Sequence, residues 1–391
     1  EERELFHRIA IITSDEEVTG TFAGDVIANP RYLQAMDVAS YHYSVEDDPD
    51  GNFKRLADEY DKEVWNSEAQ AVFSNSADRP NNTNGDGLTD EERASLPKEA
   101  LDAGAFGAHG STGIGGIGGP LEMANTLIKG FVDSRRTHAI YQPAIGACYE
   151  HMEYASKELL SMRDPWSGWI YYDAGCAVLE HFAKFADPGW GPPADSDLST
   201  GAKPTIWRAI PSASRCEVGG NNPVSGARHG EPSYMTLASP DGEDFSTIIV
   251  NDSAFARTYR ILVDTRLEAA GKTLNVWRTK AQRSGERYDA QWRRRIGEVA
   301  VRDGVYEVHI EPWSIVTVTT LNDVEPCEIP TVHERTRAVL DADPEHGVLY
   351  ADAFNGTGVP QKVLEYTTDG LSERGYLTSR GGNHGATARY T

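Results

Sequence analysis

Residues 37–68 read DVASYHYSVEDDPDGNFKRLADEYDKEVWNSE, and this stretch decides the fold. Apolar and aromatic runs at 37–43 and 63–66 predict two short strands, and the pattern at 53–60 predicts a helix between them. A strand, a helix and a strand in this order predict a parallel pair, because parallel strands need a long crossover connection. Glu68 then follows the second strand, at the edge of the sheet where the carboxyl ends of parallel strands meet.

The same alternation extends in both directions along the chain. Before this unit, Arg8–Thr13 predicts a buried strand, and Asn29 predicts an N-cap for a helix over Pro30–Met36, with proline at the first helical position. After it, a helix over 120–133 leads into a strand over Thr137–Gln142. Four such strands suit half of a (β/α)8 TIM barrel better than a complete domain.

The pattern divides the chain into four parts. Residues 1–187 form the predicted C-terminal part of a (β/α)8 catalytic barrel. Eight short runs bounded by turn residues then predict an antiparallel β-sandwich over 188–321. Residues 322–345 form a linker rich in Glu, Pro and Thr, and 346–391 begin a further β domain.

Net charge limits the partners of the chain. Its 391 residues include 37 Lys and Arg against 60 Asp and Glu, which gives a formal charge of −23. This charge repels phosphate backbones and anionic headgroups, so nucleic acid and anionic membrane are not expected as partners. A neutral or cationic ligand and secretion are both compatible with it.

Cysteine spacing and hydropathy exclude several further classes. The four cysteines are widely spaced without a CxxC pair, which excludes a zinc ribbon and a thioredoxin-like motif. One or two disulfides and free buried thiols both remain open. No apolar run reaches the roughly 18 residues that a membrane span needs, and no signal peptide is visible.

Two loop motifs imitate ligand sites. Residues 113–118, GIGGIG, match GxGxxG, but no strand immediately precedes them, so we interpret the match as chance. Asn82–Glu92 resembles a calcium loop, yet Asn82 replaces the usual first Asp and Arg93 occupies the place of the bidentate Glu. An acidic solvated loop is favoured there, with calcium as the alternative. We predict no other metal and no cofactor.

Glu68 is the candidate catalytic residue. Hydrolysis of a glycosidic bond with retention needs two carboxyl groups about 5 to 5.5 Å apart, one to attack the anomeric carbon and one to protonate the leaving oxygen. A glutamate at a strand mouth suits the attacking role. The alternative is an ordinary solvated or salt-bridged surface residue.

Several neighbours at the same predicted edge are candidates for binding a sugar. His42 and Tyr43 end the preceding strand and can hold a carboxylate or contact the sugar, although His42 also suits ordinary packing. Tyr141 ends the next strand, where its ring can stack on a pyranose or pack in the core. The full set of candidates is His42, Tyr43, Ser67, Tyr141 and Gln142.

A series of stretches then occurs in a characteristic order. These are Ile11–Asp15, Tyr41–Tyr43, Trp65–Glu68, the helix and strand ending at Tyr141, Asp164–Gly168, Leu274–Lys280 and Tyr306–Leu321. Together they resemble the galactocerebrosidase (galactosylceramidase) family of retaining glycoside hydrolases. The resemblance implies a barrel, a β-sandwich and a lectin-like β domain, removal of terminal β-galactosyl groups and a secreted or extracellular protein, lysosomal in a eukaryote. It implies that Glu68 is the nucleophile and that His42 and Tyr43 lie beside the galactose pocket.

The chain also departs from this family. Tyr141 stands where the family has a tryptophan platform, and Gln142 replaces Asn, which argues against the sphingolipid itself as the substrate. The long loop after Glu68 has no counterpart in the animal enzymes, which favours a microbial relative acting on another galactoside. The family's acid/base Glu follows an Asn at the fourth barrel strand, whereas this chain is predicted to begin near the fifth. We therefore expect the acid/base outside the chain, and exposed sheet edges and apolar faces where the other half barrel would pack.

The expected partner is a galactose-containing glycan or glycolipid, and the oligomeric state stays open. Two alternatives remain. The first is a hydrolase of similar architecture acting on β-1,6-galactan, arabinosyl or glucosyl linkages. The second is a carbohydrate-binding protein that keeps the family shape without turnover.

Overall fold

The computed structural model describes part of the chain. The described residues are 9–16, 20–42, 48–70, 114–115, 120–142, 144–146, 159–161, 171–172, 174–186, 207–216, 231–239, 242–253, 255–264, 272–281, 286, 289–327, 378–379 and 386–387. Several predicted features lie outside them: Tyr43, the calcium-like loop 82–92, most of the glycine run, the turn at 164–168 and the strand predicted near 348–354.

The N-terminal region contains a parallel sheet of four strands in chain order. They are β1 (Ile12–Glu16), β2 (Val38–His42), β3 (Glu63–Gln70) and β4 (Arg136–Gln142). The accompanying helices are α1 (Phe22–Ala28), α2 (Pro30–Ala35), α3 (Asn52–Tyr60) and α4 (Pro120–Ser134). The order agrees with the predicted alternation, and closure into a (β/α)8 barrel stays a prediction.

The helices begin where their capping groups allow. The side chain of Asn29 accepts a hydrogen bond from the backbone N–H of Arg31 at 3.1 Å, and Pro30 occupies the first turn of α2, as predicted. At α3 the carboxylate of Asp48 accepts from the backbone N–H groups of Phe53 and Lys54 at 3.0 and 2.8 Å. These acceptors satisfy donors that have no partner inside the helix.

The two faces of the parallel sheet have different surroundings. One face packs on the helices, and its cluster includes Ala39 and Tyr41 of β2, Val64 of β3, and Phe53 and Leu56 of α3. Because side chains alternate along a strand, Val38, Ser40 and His42 lie on the opposite face.

That opposite face leaves apolar side chains in contact with solvent. Ile12 pairs with Val38 and is 44% exposed. Ile140, two residues beyond His138 on the same face of β4, is 50% exposed. Ile12 and Ile140 therefore place apolar surface in contact with solvent in the described part of the sheet.

After β4, the described chain forms a small mixed sheet and then antiparallel strands. A small sheet comes first, with β5 (Ile145–Gly146), β6 (Leu160–Ser161) and β7 (Tyr171–Tyr172), followed by α5 (Ala174–Ala183). The later strands are β8 (Arg208–Ala209), β9 (Arg215–Cys216), β10 (Ser233–Ala238), β11 (Phe245–Asn251), β12 (Arg257–Leu262), β13 (Thr273–Lys280), β14 (Arg294–Ala300), β15 (Val305–Ile310), β16 (Ser314–Thr319), β17 (Thr378–Ser379) and β18 (Ala386–Thr387).

Seven of these strands form one sheet in the order β14-β13-β16-β11-β10-β8, with β9 also paired to β10. Strands β12 and β15 form a separate ribbon, and β17 pairs with β18. The central strands β11 and β16 are buried along their whole length. Their alternate residues point to opposite sides: Ile248 and Ile315 share a cluster with α4 and α5, whereas Ile249 and Val316 pack against the ribbon.

The structure also describes three of the cysteines and the length and hydropathy of the helices. Cys176 Sγ donates a hydrogen bond to the backbone carbonyl of Leu159 at 3.1 Å, Cys327 is a free thiol, and Cys148 lies outside the described residues. None of the helices in the described part of the chain is both long and apolar enough to cross a bilayer.

Candidate functional site

Glu68 and His42 lie side by side at one edge of the parallel sheet. They are register partners on β3 and β2, and His42 Nδ1 is 3.6 Å from Glu68 Oε2, an ion-pair distance. The His42 side chain is 17% exposed and that of Glu68 is 32% exposed. The carboxylate is therefore accessible to a ligand while one of its oxygens faces an imidazole.

A bulge in β3 sets the direction of Glu68. Tyr41 pairs with Asn66, and the next residue, His42, pairs with Glu68, so Ser67 is an extra residue in β3. Without this shift Glu68 would alternate with Val64 and Asn66 toward the helices. The bulge instead brings the carboxylate onto the face that carries His42, as bulges near active sites often re-aim a side chain.

Asp15 is a third member of the site, and we did not predict it. Its Oδ1 is 2.9 Å from His42 Nε2, and its side chain is 67% exposed. The hydroxyl of Ser67, followed by the imidazole of His42, holds the pKa of the Asp15 carboxyl below its ordinary value. An ionised Asp15 accepts the hydrogen bond, so His42 Nε2 carries the proton. A signal existed in the sequence, because Asp15 follows a predicted strand at the same edge.

The backbone at Asp15 is unusual. Ser14 and Asp15 have positive φ angles of 84° and 55°, and the register with β2 shifts between Ser14 and Glu16. Positive φ is uncommon for residues other than glycine, although Asp tolerates it better than most. The irregularity lies at the point where β1 reaches His42.

The ring of Tyr141 packs on the helix side of the parallel sheet. Its ring packs against the core cluster that α4 and α5 share with the antiparallel sheet, and burial raises the pKa of its hydroxyl. The physical reason is strand alternation: His138 and Ile140 face one side of β4, and Tyr141 faces the helices. This packing agrees with the core alternative, and a role of Tyr141 in sugar binding stays a prediction.

Of the remaining candidates for sugar binding, the structure describes Ser67 and the backbone of Gln142. Ser67 lies in the bulge beside Asp15. The backbone of Gln142 pairs with Gln70, while its side chain and Tyr43 lie outside the described residues. In the part of the chain that the structure describes, no group of three or more His, Cys, Asp or Glu side chains has metal-binding spacing.

Trp65 and His138 form an aromatic pair on the face that carries His42. Their rings stack with centroids 4.5 Å apart, and Trp65 Nε1 donates a hydrogen bond to Glu63 Oε2 at 2.8 Å. Because a strand rises about 3.3 Å per residue, this pair lies roughly 10 Å below Glu68, toward the start of β3. It provides apolar surface beneath the site.

Residues 1–184 match the family model of glycosyl hydrolase family 59. The matched region contains the whole parallel sheet together with Asp15, His42 and Glu68. The match supports the family that the sequence resembles, and with it a glycoside hydrolase. Among curated proteins, none matches the chain.

Solved structures of glycoside hydrolases are similar to the chain at low identity. A GH30 endoxylanase from Clostridium papyrosolvens is 11% identical, with a TM-score of 0.46, over 79% of this chain and 55% of that chain. A GH51 alpha-L-arabinofuranosidase from Thermotoga petrophila is 12% identical, with a TM-score of 0.40, over 81% and 59%. The chain thus spans a little over half the length of these structures.

Proposed function

We propose that the chain belongs to a retaining exo-glycosidase that removes terminal β-galactosyl groups, with Glu68 as the nucleophile. The observation that carries this proposal is the position of Glu68. It lies near the carboxyl end of a parallel strand, in a bulge that turns it toward His42, inside the region that matches glycosyl hydrolase family 59.

The chemistry follows from one accessible carboxylate. An oxygen of Glu68 attacks the anomeric carbon of galactose, the glycosidic C–O bond breaks, and the leaving oxygen takes a proton from the acid. In the second step the same group, now deprotonated, accepts a proton from water, and the water oxygen displaces Glu68 from the anomeric carbon. We propose that this acid/base lies outside the chain, about 5 to 5.5 Å from Glu68 in the complete site.

Charge and cofactor requirements fit this reaction. A net charge of −23 disfavours anionic ligands and leaves a neutral sugar as a suitable substrate. The displacement needs no metal or redox group, so we propose no cofactor. A calorimetric calcium titration of the calcium-free protein tests the loop at 82–92 separately. We also propose a secreted or extracellular location.

A mechanism-based 2-fluoro-galactosyl label tests the nucleophile. In the full-length protein the label should form a covalent adduct on the peptide that contains Glu68, detected by mass spectrometry. Glu68→Gln should lose the adduct and reduce kcat by about 10⁴-fold or more. Glu63→Gln, at the start of the same strand, serves as the matched control and should be labelled normally. Labelling on another carboxylate would overturn the assignment of Glu68.

The identity of the sugar is a separate question. Tyr141 packs in the core, so the tryptophan platform of the resembled family has no counterpart in its ring. This observation favours a substrate other than the sphingolipid, such as a β-1,6-galactan or an arabinosyl or glucosyl linkage. A panel of aryl glycosides would separate these sugars. Saturable galactose binding with neither turnover nor labelling would support a carbohydrate-binding protein instead.

A further inference from the structure

Three side chains from three adjacent strands form a continuous chain at the edge of the parallel sheet. Asp15 of β1 lies 2.9 Å from His42 Nε2, and His42 Nδ1 lies 3.6 Å from Glu68 Oε2. Both ring nitrogens of His42 therefore face carboxylate oxygens. We propose that Asp15 is a positioning residue, which fixes the ring of His42 beside the nucleophile Glu68 and so limits the orientations that the Glu68 carboxylate can take. This inference rests on the proposed function.

The geometry of His42 makes Asp15 the determinant of ring orientation. An imidazole can rotate about its Cβ–Cγ bond, which moves both nitrogens away from their present partners. A hydrogen bond from Nε2 to Asp15 prevents this rotation, because the carboxylate accepts only from a protonated ring nitrogen and the bond breaks when Nε2 moves away. With the ring fixed, Nδ1 faces the carboxylate of Glu68. The orientation of a histidine is often set by the hydrogen bond that its other nitrogen makes with a carboxylate.

Two features of the structure support Asp15 as the specific hydrogen-bond acceptor of His42. The left-handed backbone at Ser14 and Asp15 is unfavourable for residues with a Cβ, and such conformations concentrate at functional sites. The Ser67 hydroxyl, followed by His42, lowers the pKa of the Asp15 carboxyl. Ser67 is the extra residue of the β3 bulge that also redirects Glu68, so one irregularity serves both carboxylates.

A positioning role and a merely structural role predict different measurements. If Asp15 only stabilised the strand, its removal would lower the melting temperature and leave the reactivity of the folded enzyme intact. If it orients His42 for Glu68, its removal should slow the attack of Glu68 on the anomeric carbon. The effect should then appear in kcat and in the rate of covalent labelling, with KM little changed.

The test compares Asp15→Ala, Asp15→Asn and a matched control in the full-length protein. Asp15→Ala should lower kcat and the rate of 2-fluoro-galactosyl labelling by about 10- to 100-fold, the range for losing the second partner of a functional histidine. Asp15→Asn keeps a neutral acceptor oxygen and should recover part of the rate. Glu16→Gln removes the adjacent exposed carboxylate of β1 and should behave like the unchanged protein. Circular dichroism melts would confirm that each variant folds, and Asp15→Asn replaces Asp15→Ala if the latter does not.

A second measurement keeps this test independent of activity. The ¹⁵N chemical shifts of the His42 ring should show a protonated Nε2 in the unchanged protein and a redistribution of the proton between the ring nitrogens in Asp15→Asn. Unchanged labelling rates together with unchanged ¹⁵N shifts would overturn the role of Asp15. If the unchanged protein is not labelled at all, the proposed function fails, and the ¹⁵N shifts still decide whether Asp15 fixes the ring.

Discussion

The histidines His42 and His181 both use their two ring nitrogens, but in opposite environments. His42 lies between the carboxylates of Asp15 and Glu68 at an accessible edge of the parallel sheet. His181 of α5 is fully buried, with Nδ1 2.7 Å from Thr317 Oγ1 and Nε2 2.7 Å from Thr279 Oγ1. Both rings contact two partners through their nitrogens, and they differ in location: His42 lies at an accessible edge, whereas His181 lies in the core.

The protonation of His181 follows from its surroundings. Burial, with a smaller contribution from Arg293, lowers the pKa of His181 to about 3. A neutral ring has one donor and one acceptor, which two hydroxyl groups satisfy without leaving a charge in the core. Thr279 and Thr317 belong to the antiparallel sheet, so His181 joins α5 to that sheet.

Replacing His181 should produce the largest change in stability. His181→Ala would leave a cavity and two buried hydroxyls with fewer partners, which we expect to cost about 3 to 5 kcal/mol of unfolding free energy. Urea denaturation measures this loss. The matched control is His309→Ala, since His309 is an exposed residue on β15, and it should change stability little. Equal losses in the two variants would contradict the structural role of His181.

Replacing His42 should affect reactivity more than stability. His42→Ala removes the group that faces Glu68, so we expect kcat and the labelling rate to fall about 100-fold, equivalent to about 2.7 kcal/mol of activation free energy. Single-turnover labelling measures this rate, and a urea denaturation curve accompanies it. A large loss of stability with an unchanged labelling rate would show that His42, like His181, has a structural role.

The order of strands and helices in the parallel sheet was predictable, because it depends on local patterns. Asn29 and Pro30 begin α2 as their residue types predict, and Glu63 begins β3 at the expected position. The proximity of His42 and Glu68 also followed from simple reasoning about strand ends. Local capping and strand pattern therefore carry much of the architecture of this region.

The positions of Asp15 and Tyr141, which the sequence did not predict, are set by pairing between strands. The prediction ended the first strand at Thr13, whereas β1 extends through Glu16 by pairing with β2. Asp15 was missed for that reason. Tyr141 lies on the predicted strand but on the other face, because a position at a strand end does not determine the phase of alternation.

The dependence of stability on pH offers a further test of the buried His181. The folded-state pKa of His181 lies below the unfolded value of about 6.5, so the unfolded chain binds more protons between these two values. The contribution of His181 is fully present above about pH 6.5 and falls by up to about 1.4 kcal/mol per pH unit as pH decreases toward the folded-state pKa. Urea denaturation at several pH values measures this slope. His181→Gln, which does not titrate, should show a shallower slope than the unchanged protein, and identical slopes would contradict a neutral buried ring.

The helix cap at Asn29 tests whether the site tolerates a loss of stability elsewhere in the parallel region. Asn29→Ala removes the side chain that accepts from the N–H of Arg31, which typically costs about 1 kcal/mol. We expect urea denaturation to show this loss, while the rate of covalent labelling stays within about twofold, because α2 lies outside the chain of contacts from Asp15 to Glu68. Asn29→Asp keeps a capping oxygen and should restore the stability. A labelling rate that falls together with stability in Asn29→Ala would mean that reactivity depends on the general stability of the parallel sheet, and the distinction drawn between His42 and His181 would then be wrong.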